Sequence, residues 1–285
     1  MSQPECEQNP RDRIRKENLS DLEVVQGKIA SNREFLKAHL WGEWKLRDLP
    51  TDQRRSLPQP LQQKPYPPEA QFFDLVPVHE IRLGKMPVIE AMARRRSHRE
   101  YSQEPLTLEE LSFLLWAMQG VHGFIREGTA TTRTVPSGGA RHPFETYLLI
   151  NRVVGLPCGL YRYLALEHRL LFLYSEPDLA EKVYIACYQD FVKNGAVVFI
   201  LAAIPYRTEW RYSFLAHKVI AQETGHICQN LYLACESIHA GACALGTYNQ
   251  EEIDALLGID GEEEFTIYVA VAGKVTREGA VPAYE

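Results

Sequence analysis

Basic side chains are concentrated in one short segment of the chain. Arg95, Arg96, Ser97 and Arg99 place three guanidinium groups and a hydroxyl within five residues, at the end of a predicted short helix. Guanidinium groups make charge-assisted, often two-pronged hydrogen bonds to phosphate, and a serine hydroxyl adds a neutral donor. The segment therefore fits a dianionic phosphate or a polar cofactor tail. A solvated basic surface with carboxylate partners nearby is the alternative interpretation.

Two other segments contain small residues that could lie against a flat ligand. The sequence Pro-Ser-Gly-Gly at 136–139 precedes a predicted strand, and its glycines permit close backbone approach. An ordinary tight turn into the strand explains the same residues equally well. The second segment, 241–248, is predicted to be a loop of small residues whose backbone N–H groups could face a ligand atom.

A further candidate lies within a long helix predicted at 214–239. Ile220, Ile227 and Leu231 repeat at helical spacing, and cysteines and Leu233 occupy the other face. This pattern predicts a helix that is buried nearly all round. The polar Gly, His, Gln and Asn residues within 225–230 would then need partners, because unpaired buried amides are costly. They are either satisfied core residues or the polar lining of a pocket.

The elements that would position these segments mix strands and helices. Thr107 and Glu110 form a predicted capping box that opens a helix ending near Gly120, and an irregular loop follows at 123–136. Further helices are predicted at 87–95, 177–189 and 250–257, and strands at 144–151, 160–164, 170–174, 196–204 and 265–273. Because the order lacks a regular βαβ alternation, the predicted fold class is α+β.

Residues 1–80 differ from the rest of the chain and are predicted to form an N-terminal arm. A helix is predicted at about 19–40, followed by a segment that holds seven of the 17 prolines. The apolar residues at 72–76 favour docking of this arm over a disordered linker, which is the alternative. Residues 81–285 are predicted to form the main domain.

Composition excludes several classes of function. The net charge of −6 disfavours nucleic acid as a partner, and no apolar stretch reaches the ~20 residues of a membrane helix. The six cysteines form no CxxC pair and match no usual zinc spacing, so reduced thiols, no metal site and a cytoplasmic location are predicted. Glycine-rich nucleotide loops and nucleophile elbows are also missing.

Four motifs in order resemble the nitroreductase superfamily of FMN enzymes. They read RRSHREY at 95–101, PSGGARHPFE at 136–145, GHICQNLYLAC at 225–235 and LGTYN at 245–249. The sequence is most similar to the SagB/ThcOx-type, azoline dehydrogenase-like branch, and the resemblance covers about residues 86–275. It implies a nitroreductase-like fold, with a mostly antiparallel central sheet flanked by helices and a long buried helix at the core of a homodimer.

The same resemblance implies the cofactor and its contacts. FMN would lie at the subunit interface, with Arg95, Arg96, Ser97 and Arg99 on its phosphate, ribityl chain and ring edge. From the opposite subunit, Pro136, Ser137 and Gly138 would pack on the isoalloxazine. The loop that holds Leu245 and Gly246 would point a backbone N–H at flavin N5. Gly139 and Gln229 are further implied cofactor contacts, and Lys274, after the last strand, is implied as a basic ligand of the phosphate.

The branch also implies a catalytic pair. Azoline dehydrogenases use a Lys–Tyr pair as the base, and the corresponding residues here are Arg211 and Tyr212. Arginine is a poor general base because it stays protonated, which counts against azoline oxidation. We therefore expect an FMN-dependent oxidoreductase that transfers hydride from a reductant such as NAD(P)H to a small electron-poor acceptor. The alternatives are a dehydrogenase acting on a peptide heterocycle and a flavin-binding protein without reductase activity.

Overall fold

The computed structural model describes residues 10–42 and 50–276, with side chains from residue 22 onward. The chain separates into two compact units between Leu49 and Pro50. In the first unit, helix α1 spans Pro10–Leu36 and therefore begins earlier than the predicted helix at 19–40. Its described apolar side chains, such as Leu22 and Val25, are exposed within this single chain.

The second unit is built on a seven-stranded sheet in which every strand pair is antiparallel. The strands described in this unit are β1 (Phe72–Asp74), β2 (Val121–Ile125), β3 (Ala130–Arg133), β4 (Phe144–Ile150), β5 (Gly159–Leu164), β6 (Arg169–Tyr174), β7 (Val197–Ala203), β8 (Ala240–Leu245) and β9 (Phe265–Lys274). The sheet order is β1-β6-β5-β4-β7-β9-β8, and β2 and β3 form a separate hairpin. The predicted α+β class with a mostly antiparallel sheet is confirmed.

Helices cover both faces of this sheet. They are α2 (Val88–Arg94), α3 (Leu108–Gln119), α4 (Leu179–Ala186), α5 (Phe191–Asn194), α6 (Tyr206–Tyr212), α7 (Ala216–Ser237) and α8 (Gln250–Leu257). One apolar core joins α3 and α7 to the sheet, and a second joins α4, α5 and α8 to the opposite face. Alternate side chains of β4 enter the two cores, as the two-residue period of a strand requires. No helix in the described ranges has the length and apolar character needed to cross a bilayer.

Helix α3 begins where the capping box was predicted and ends at Gly120. The irregular loop predicted at 123–136 is wrong, because the hairpin of β2 and β3 occupies most of it. Arg126 and Glu127 both adopt positive φ in the connecting turn, and Gly128 follows with φ 86°. Side chains in β3, including the fully buried Thr131, anchor the hairpin on the body. Because the residues of this hairpin are largely polar, the sequence pattern did not indicate the strand pairing.

Helix α7 packs in the core on one side but is not buried all round, so that prediction is wrong for the single chain. Ile220, Ile227 and Leu231 are buried as expected. The opposite face carries exposed residues at positions 222, 225, 226 and 229, spaced by the helical period. The polar residues of the motif at 225–230 account for most of this open face.

The proline-rich segment belongs to the same compact unit as the sheet. Its strand β1 pairs with β6, and the Trp210 indole N–H donates to the Leu57 carbonyl at 3.1 Å. Arg162 Nη2 donates to the carbonyls of Lys64 and Pro65 at 3.0 and 2.9 Å. The second compact unit begins at Pro50, so the predicted arm of residues 1–80 spans both units.

Candidate functional site

The residues from Arg95 to Arg99, which we call the arginine–serine segment, follow α2 and run along the edge of the sheet. Helix α2 ends at Arg94, and the backbone becomes extended at Arg95. Ser97 then forms a parallel bridge with Ala242 of β8, in which the His98 N–H donates to the Ala242 carbonyl at 2.9 Å. A Cβ on Gly241 would lie 2.6 Å from the His98 ring, so glycine is needed for this approach.

Tyr232 on α7 joins this segment to the end of β8. Its hydroxyl lies 3.3 Å from Ser97 Oγ and accepts the Ala244 backbone N–H at 2.8 Å. The Arg95 guanidinium lies 5.4 Å from the centre of the Tyr232 ring, within the range of a cation–π contact. Arg95, Ser97, Tyr232 and Ala244 therefore form one cluster, which we call the arginine–tyrosine cluster.

The positive charges of this segment are not balanced by carboxylates. Within residues 50–276, Arg94 is ion-paired with Glu90, whereas Arg95, Arg96 and Arg99 form no ion pair. Arg96 donates to the backbone carbonyls of Ala93 and Arg95, and Arg99 lies near the Phe191 ring. The serine is exposed and its hydroxyl is accessible. Guanidinium groups without carboxylate partners, beside an exposed serine, are suited to an anionic ligand.

Lys274, at the end of β9, is already neutralised by another residue. Its side chain is mostly buried and forms an ion pair with Glu110 at the start of α3. It lines a cavity of about 620 Å³ together with Arg94 and Glu90. A role in phosphate binding, as predicted for Lys274, would require Glu110 to share or release it.

The predicted loop at 241–248 is wrong in its first part, because Ala240–Leu245 forms the edge strand β8. Its small residues fit against α7 and pair with β9, which a pattern without β-branched residues did not reveal. Leu245 is buried and Gly246 is exposed just beyond the strand. The backbone that follows the arginine–tyrosine cluster is therefore open to a ligand at Gly246.

The turn at 136–139 is fastened to α7 by a buried carboxyl group. Glu223 accepts the Gly138 N–H at 2.6 Å, and Ser137 Oγ accepts the His142 N–H at 2.9 Å. Pro136 is exposed at the start of the turn, and Gly139 adopts φ 63°. A Cβ on Gly138 would meet the Val219 side chain at 2.9 Å. Glycine is thus required at both positions, by close packing at one and by backbone conformation at the other.

Arg211 and Tyr212, predicted as a catalytic pair, lie against this turn. A Cβ on Gly139 would be 2.6 Å from Arg211 Cδ and 2.9 Å from the Tyr212 hydroxyl. Helix α6 ends at Tyr212 because Ser213 takes φ 49° and ψ −137°, a conformation that few non-glycine residues adopt. The structure therefore brings together two segments that are about 70 residues apart in the sequence.

The polar motif of α7 divides between two roles. Asn230 Nδ2 donates to the carbonyls of Ala117 and Thr134 at 2.9 and 3.3 Å, so it is a satisfied structural residue. Gln229 and His226 are exposed on the open face of the helix. Gln229 thus remains accessible to a ligand, between the turn at 136–139 and the arginine–tyrosine cluster.

Comparison with known proteins identifies the family. Residues 92–274 match the model of the Nitroreductase family, and this range contains all four motifs. The chain belongs to the nitroreductase family. It is 33% identical over 205 residues to a nitroreductase-like protein of Methanocaldococcus jannaschii, an alignment that covers 71% of this chain and 96% of the relative. Membership makes the chain an oxidoreductase by family.

Solved structures agree with the nitroreductase assignment. A nitroreductase-like protein of Ralstonia eutropha superposes with a TM-score of 0.61 at 27% identity, covering 78% of this chain and 96% of that one. A chain of the E. coli microcin synthetase McbBCD complex, with truncated pro-MccB17 bound, gives a TM-score of 0.56 at 17% identity. That match covers 89% of this chain and 98% of the other, and it shows a shared fold.

In this nitroreductase, the turn at 136–139 and the arginine–tyrosine cluster lie apart within one chain. Glu223, beside the turn, and Tyr232 lie nine residues apart on α7, which corresponds to about 14 Å along a helix. Both border the open face of that helix. Sequence reasoning had not singled out either residue, although both flank the quoted motif at 225–230. Their roles depend on hydrogen bonds to distant backbone groups, which a single sequence does not reveal.

Proposed function

We propose that the chain is an FMN-dependent oxidoreductase in which the arginine–tyrosine cluster holds the phosphorylated tail of the cofactor. The observation that carries the proposal is the set of three guanidinium groups, on Arg95, Arg96 and Arg99, that lack carboxylate partners in the described part of the chain and adjoin the exposed Ser97. Such donors match a phosphate dianion in charge and geometry. Membership in the nitroreductase family supports the same assignment.

The residues present fit this cofactor. When bound, the flavin would supply two-electron redox chemistry, so the protein needs to supply binding and electrostatics rather than a nucleophile. Tyr232 holds Ser97 and Ala244 in place through its hydroxyl, and Gly246 leaves the backbone beyond β8 open. Positive charge in the segment would stabilise an anionic reduced cofactor. Lys274 stays a secondary candidate for the phosphate because Glu110 competes for it.

We propose that the cofactor site is completed by a second copy of the chain. The turn at 136–139 lies about 14 Å along α7 from Tyr232, so one chain supplies two separated halves. The surface around α2 is apolar, with Val88, Ile89 and Met92 from 58% to 80% exposed. Nearby, a groove of about 400 Å³ is lined mainly by apolar residues of α2, α3 and α7. Exposed apolar surface of this kind favours association.

The substrate is proposed to be a small electron-poor acceptor, with NAD(P)H as reductant and the cytoplasm as location. Anaerobic addition of NADH or NADPH to the flavin-loaded protein should bleach its visible absorbance. A subsequent electron-poor acceptor should restore the colour. Retention of full colour with both nicotinamides would overturn the reductant assignment.

A second candidate is a dehydrogenase that oxidises a peptide heterocycle. The observation that favours it is the placement of the Tyr212 hydroxyl at the turn, beside Gly139. Arg211 weighs against it, because a guanidinium group is a poor proton acceptor. This function predicts that a thiazoline-containing peptide, rather than a nicotinamide, reduces the bound flavin under anaerobic conditions.

The cofactor assignment is tested by replacing the arginines. Arg95→Ala and Arg99→Ala, singly and together, should lower the FMN content of the purified protein, with the double variant losing nearly all of it. Arg169→Ala, which removes an arginine ion-paired with Asp74 on a different strand, serves as the control. Wild-type flavin content in the double variant would show that the phosphate binds elsewhere.

A further inference from the structure

Three guanidinium groups surround the peptide unit of Gly139. Arg126 Nη1 donates to the Gly139 carbonyl oxygen at 3.2 Å, and Arg141 Nε donates to the same oxygen at 3.3 Å. Arg211 lies against the Cα, since a Cβ there would be 2.6 Å from both its Cδ and its Nε. Three positive charges from separate elements therefore converge at one turn.

These charges have no acidic partner in the described part of the chain. Between residues 50 and 276, the arginine ion pairs involve Arg55, Arg94, Arg169 and Arg207. Glu223, which accepts the Gly138 N–H, is not ion-paired with any of the three arginines at Gly139. No ion pair within residues 50–276 therefore neutralises the positive charge at the turn, and the Gly139 carbonyl oxygen accepts hydrogen bonds from two of the three groups.

The arrangement leaves unused binding capacity. Nε of Arg211 is buried and has no hydrogen-bond partner among the residues that the structure describes, although buried guanidinium donors are ordinarily satisfied. Burial lowers the pKa of Arg141, and the nearby charges of Arg126 and Arg211 lower it further. Mutual repulsion of this kind is relieved when an anion binds between the groups.

The guanidinium groups are held in place before any ligand binds. Gln53 Oε1 accepts from Arg211 Nη1 at 3.0 Å, and the Arg141 guanidinium lies 5.3 Å from the centre of the Trp210 ring. Arg126 belongs to the β2–β3 turn, whose backbone is bound at Gly128 by the Gln62 side chain at 3.1 Å. Donors that are fixed in advance lose little freedom on binding and therefore bind more tightly.

We propose that Arg126, Arg141 and Arg211 form a subsite for an oxyanion, a carboxylate or phosphate group carried by the substrate. The inference rests on the proposed function, because the substrate it orients is that of the oxidoreductase. The Tyr212 hydroxyl adjoins the same turn and places a neutral donor beside the anion. The subsite selects acceptors that carry a negative charge over uncharged acceptors of the same shape.

Binding of two matched compounds tests this inference without requiring turnover. 4-Nitrobenzoate carries a carboxylate, and 4-nitrobenzamide replaces it with a neutral amide of similar size. Isothermal titration of the purified full-length protein should show at least roughly tenfold tighter binding of the benzoate, as expected for charge-assisted hydrogen bonds. Inorganic phosphate should compete with the benzoate but not with the amide.

Variants locate the effect. Arg126→Gln and Arg211→Gln should each weaken benzoate binding by roughly tenfold and leave amide binding within about twofold. Arg169→Gln removes the same charge on β6 and should change neither compound's affinity. Melting temperatures close to wild type would show that the variants are folded, and unchanged binding of 4-nitrobenzamide is a second check of folding.

The outcomes separate this inference from the proposed function. Equal affinity for the two compounds in wild-type protein, or unchanged benzoate affinity in both variants, overturns the subsite even if the protein holds FMN. Selective benzoate binding by a protein that cannot be loaded with FMN supports the subsite and overturns the proposed function. If the variants instead lose FMN and keep the benzoate preference, the oxyanion is the cofactor's phosphate and the substrate assignment is overturned.

Discussion

The carboxyl group of Glu223 accepts the backbone N–H of Gly138 at 2.6 Å, which attaches the turn at 136–139 to α7. Only 4% of the Glu223 surface is exposed. Burial raises the pKa of this carboxyl group to about 6, although the hydrogen bonds from Gly138 and Ser137 act in the opposite direction. The position of the turn is therefore linked to the protonation of one buried acid.

This pKa predicts a pH dependence of stability. The folded-state pKa of Glu223 is raised above the unfolded value. Its stabilising contribution to the free energy of unfolding is therefore fully present below pH 4.5 and is lost as pH rises through about 6. Relative to Glu223→Gln, the free energy of unfolding of the wild type should fall by about 2 kcal/mol between pH 4.5 and 7. Urea unfolding across this range measures the difference.

Two results bear on that prediction. Glu251→Gln, at an exposed acid at the start of α8, should give a curve nearly parallel to the wild type. A Glu223→Gln curve equally parallel to the wild type would contradict the raised pKa. Glutamine keeps an oxygen acceptor for the Gly138 N–H, so the comparison isolates the charge from the hydrogen bond.

Tyr232→Phe tests the bridge between the arginine–serine segment and β8. The change removes the hydroxyl that contacts Ser97 and Ala244, and leaves the partly buried Ala244 N–H without that acceptor. We expect a loss of about 1–2 kcal/mol in the free energy of unfolding and weaker retention of FMN. Tyr174→Phe removes a hydroxyl that donates to the Leu256 carbonyl at 2.8 Å, and it should leave FMN binding unchanged. Equal FMN loss in both variants would make the bridge irrelevant to the cofactor.

The buried ion pair of Arg207 and Glu145 also contacts the proline-rich segment, and breaking it should lower the free energy of unfolding. Both side chains are 3% exposed, and Glu145 also accepts the Lys64 backbone N–H at 2.7 Å. Glu145→Ala leaves a buried guanidinium uncompensated and should lower the free energy of unfolding by about 3–5 kcal/mol. Asp74→Ala, which breaks an exposed pair with Arg169, should cost less than about 1 kcal/mol. Similar losses in both variants, measured by urea unfolding, would argue against this network.

Local sequence signals predicted those elements whose own residues determine them. The capping box at Thr107 and Glu110 and the helix at 250–257 were found where expected. The β5–β6 hairpin and the central strand β7 were also predicted, because alternating or continuous apolar runs mark them.

Elements that depend on distant partners were missed. Strand β8 consists of small residues and is a strand because β9 pairs with it and His98 binds its outer edge. The hairpin of β2 and β3 is polar and gains its place through a few buried side chains such as Thr131. Likewise, the sequence pattern does not indicate a partner for Lys274, whereas Glu110, 164 positions away in the sequence, is ion-paired with it.

The candidate site was predictable as a list of segments but not as an arrangement. Motif spacing located Arg95–Arg99 and the turn at 136–139, and the resemblance paired Arg211 with Tyr212. Glu223 and Tyr232, which hold those segments in position, act through hydrogen bonds to Gly138 and Ala244. Such partners emerge only when the chain has folded.

We propose that the arginine–tyrosine cluster of one subunit and the turn at 136–139 of another hold one FMN. Mixed dimers test it directly: one subunit carries Arg95→Ala and Arg99→Ala, the other carries Gly139→Ala, and different tags allow their isolation. Each parent homodimer should contain little FMN, whereas the mixed dimer rebuilds one intact site of two and should contain about half the wild-type FMN per dimer. A mixed dimer with no more FMN than its parents, or a chain that binds FMN as a monomer, would contradict the shared site.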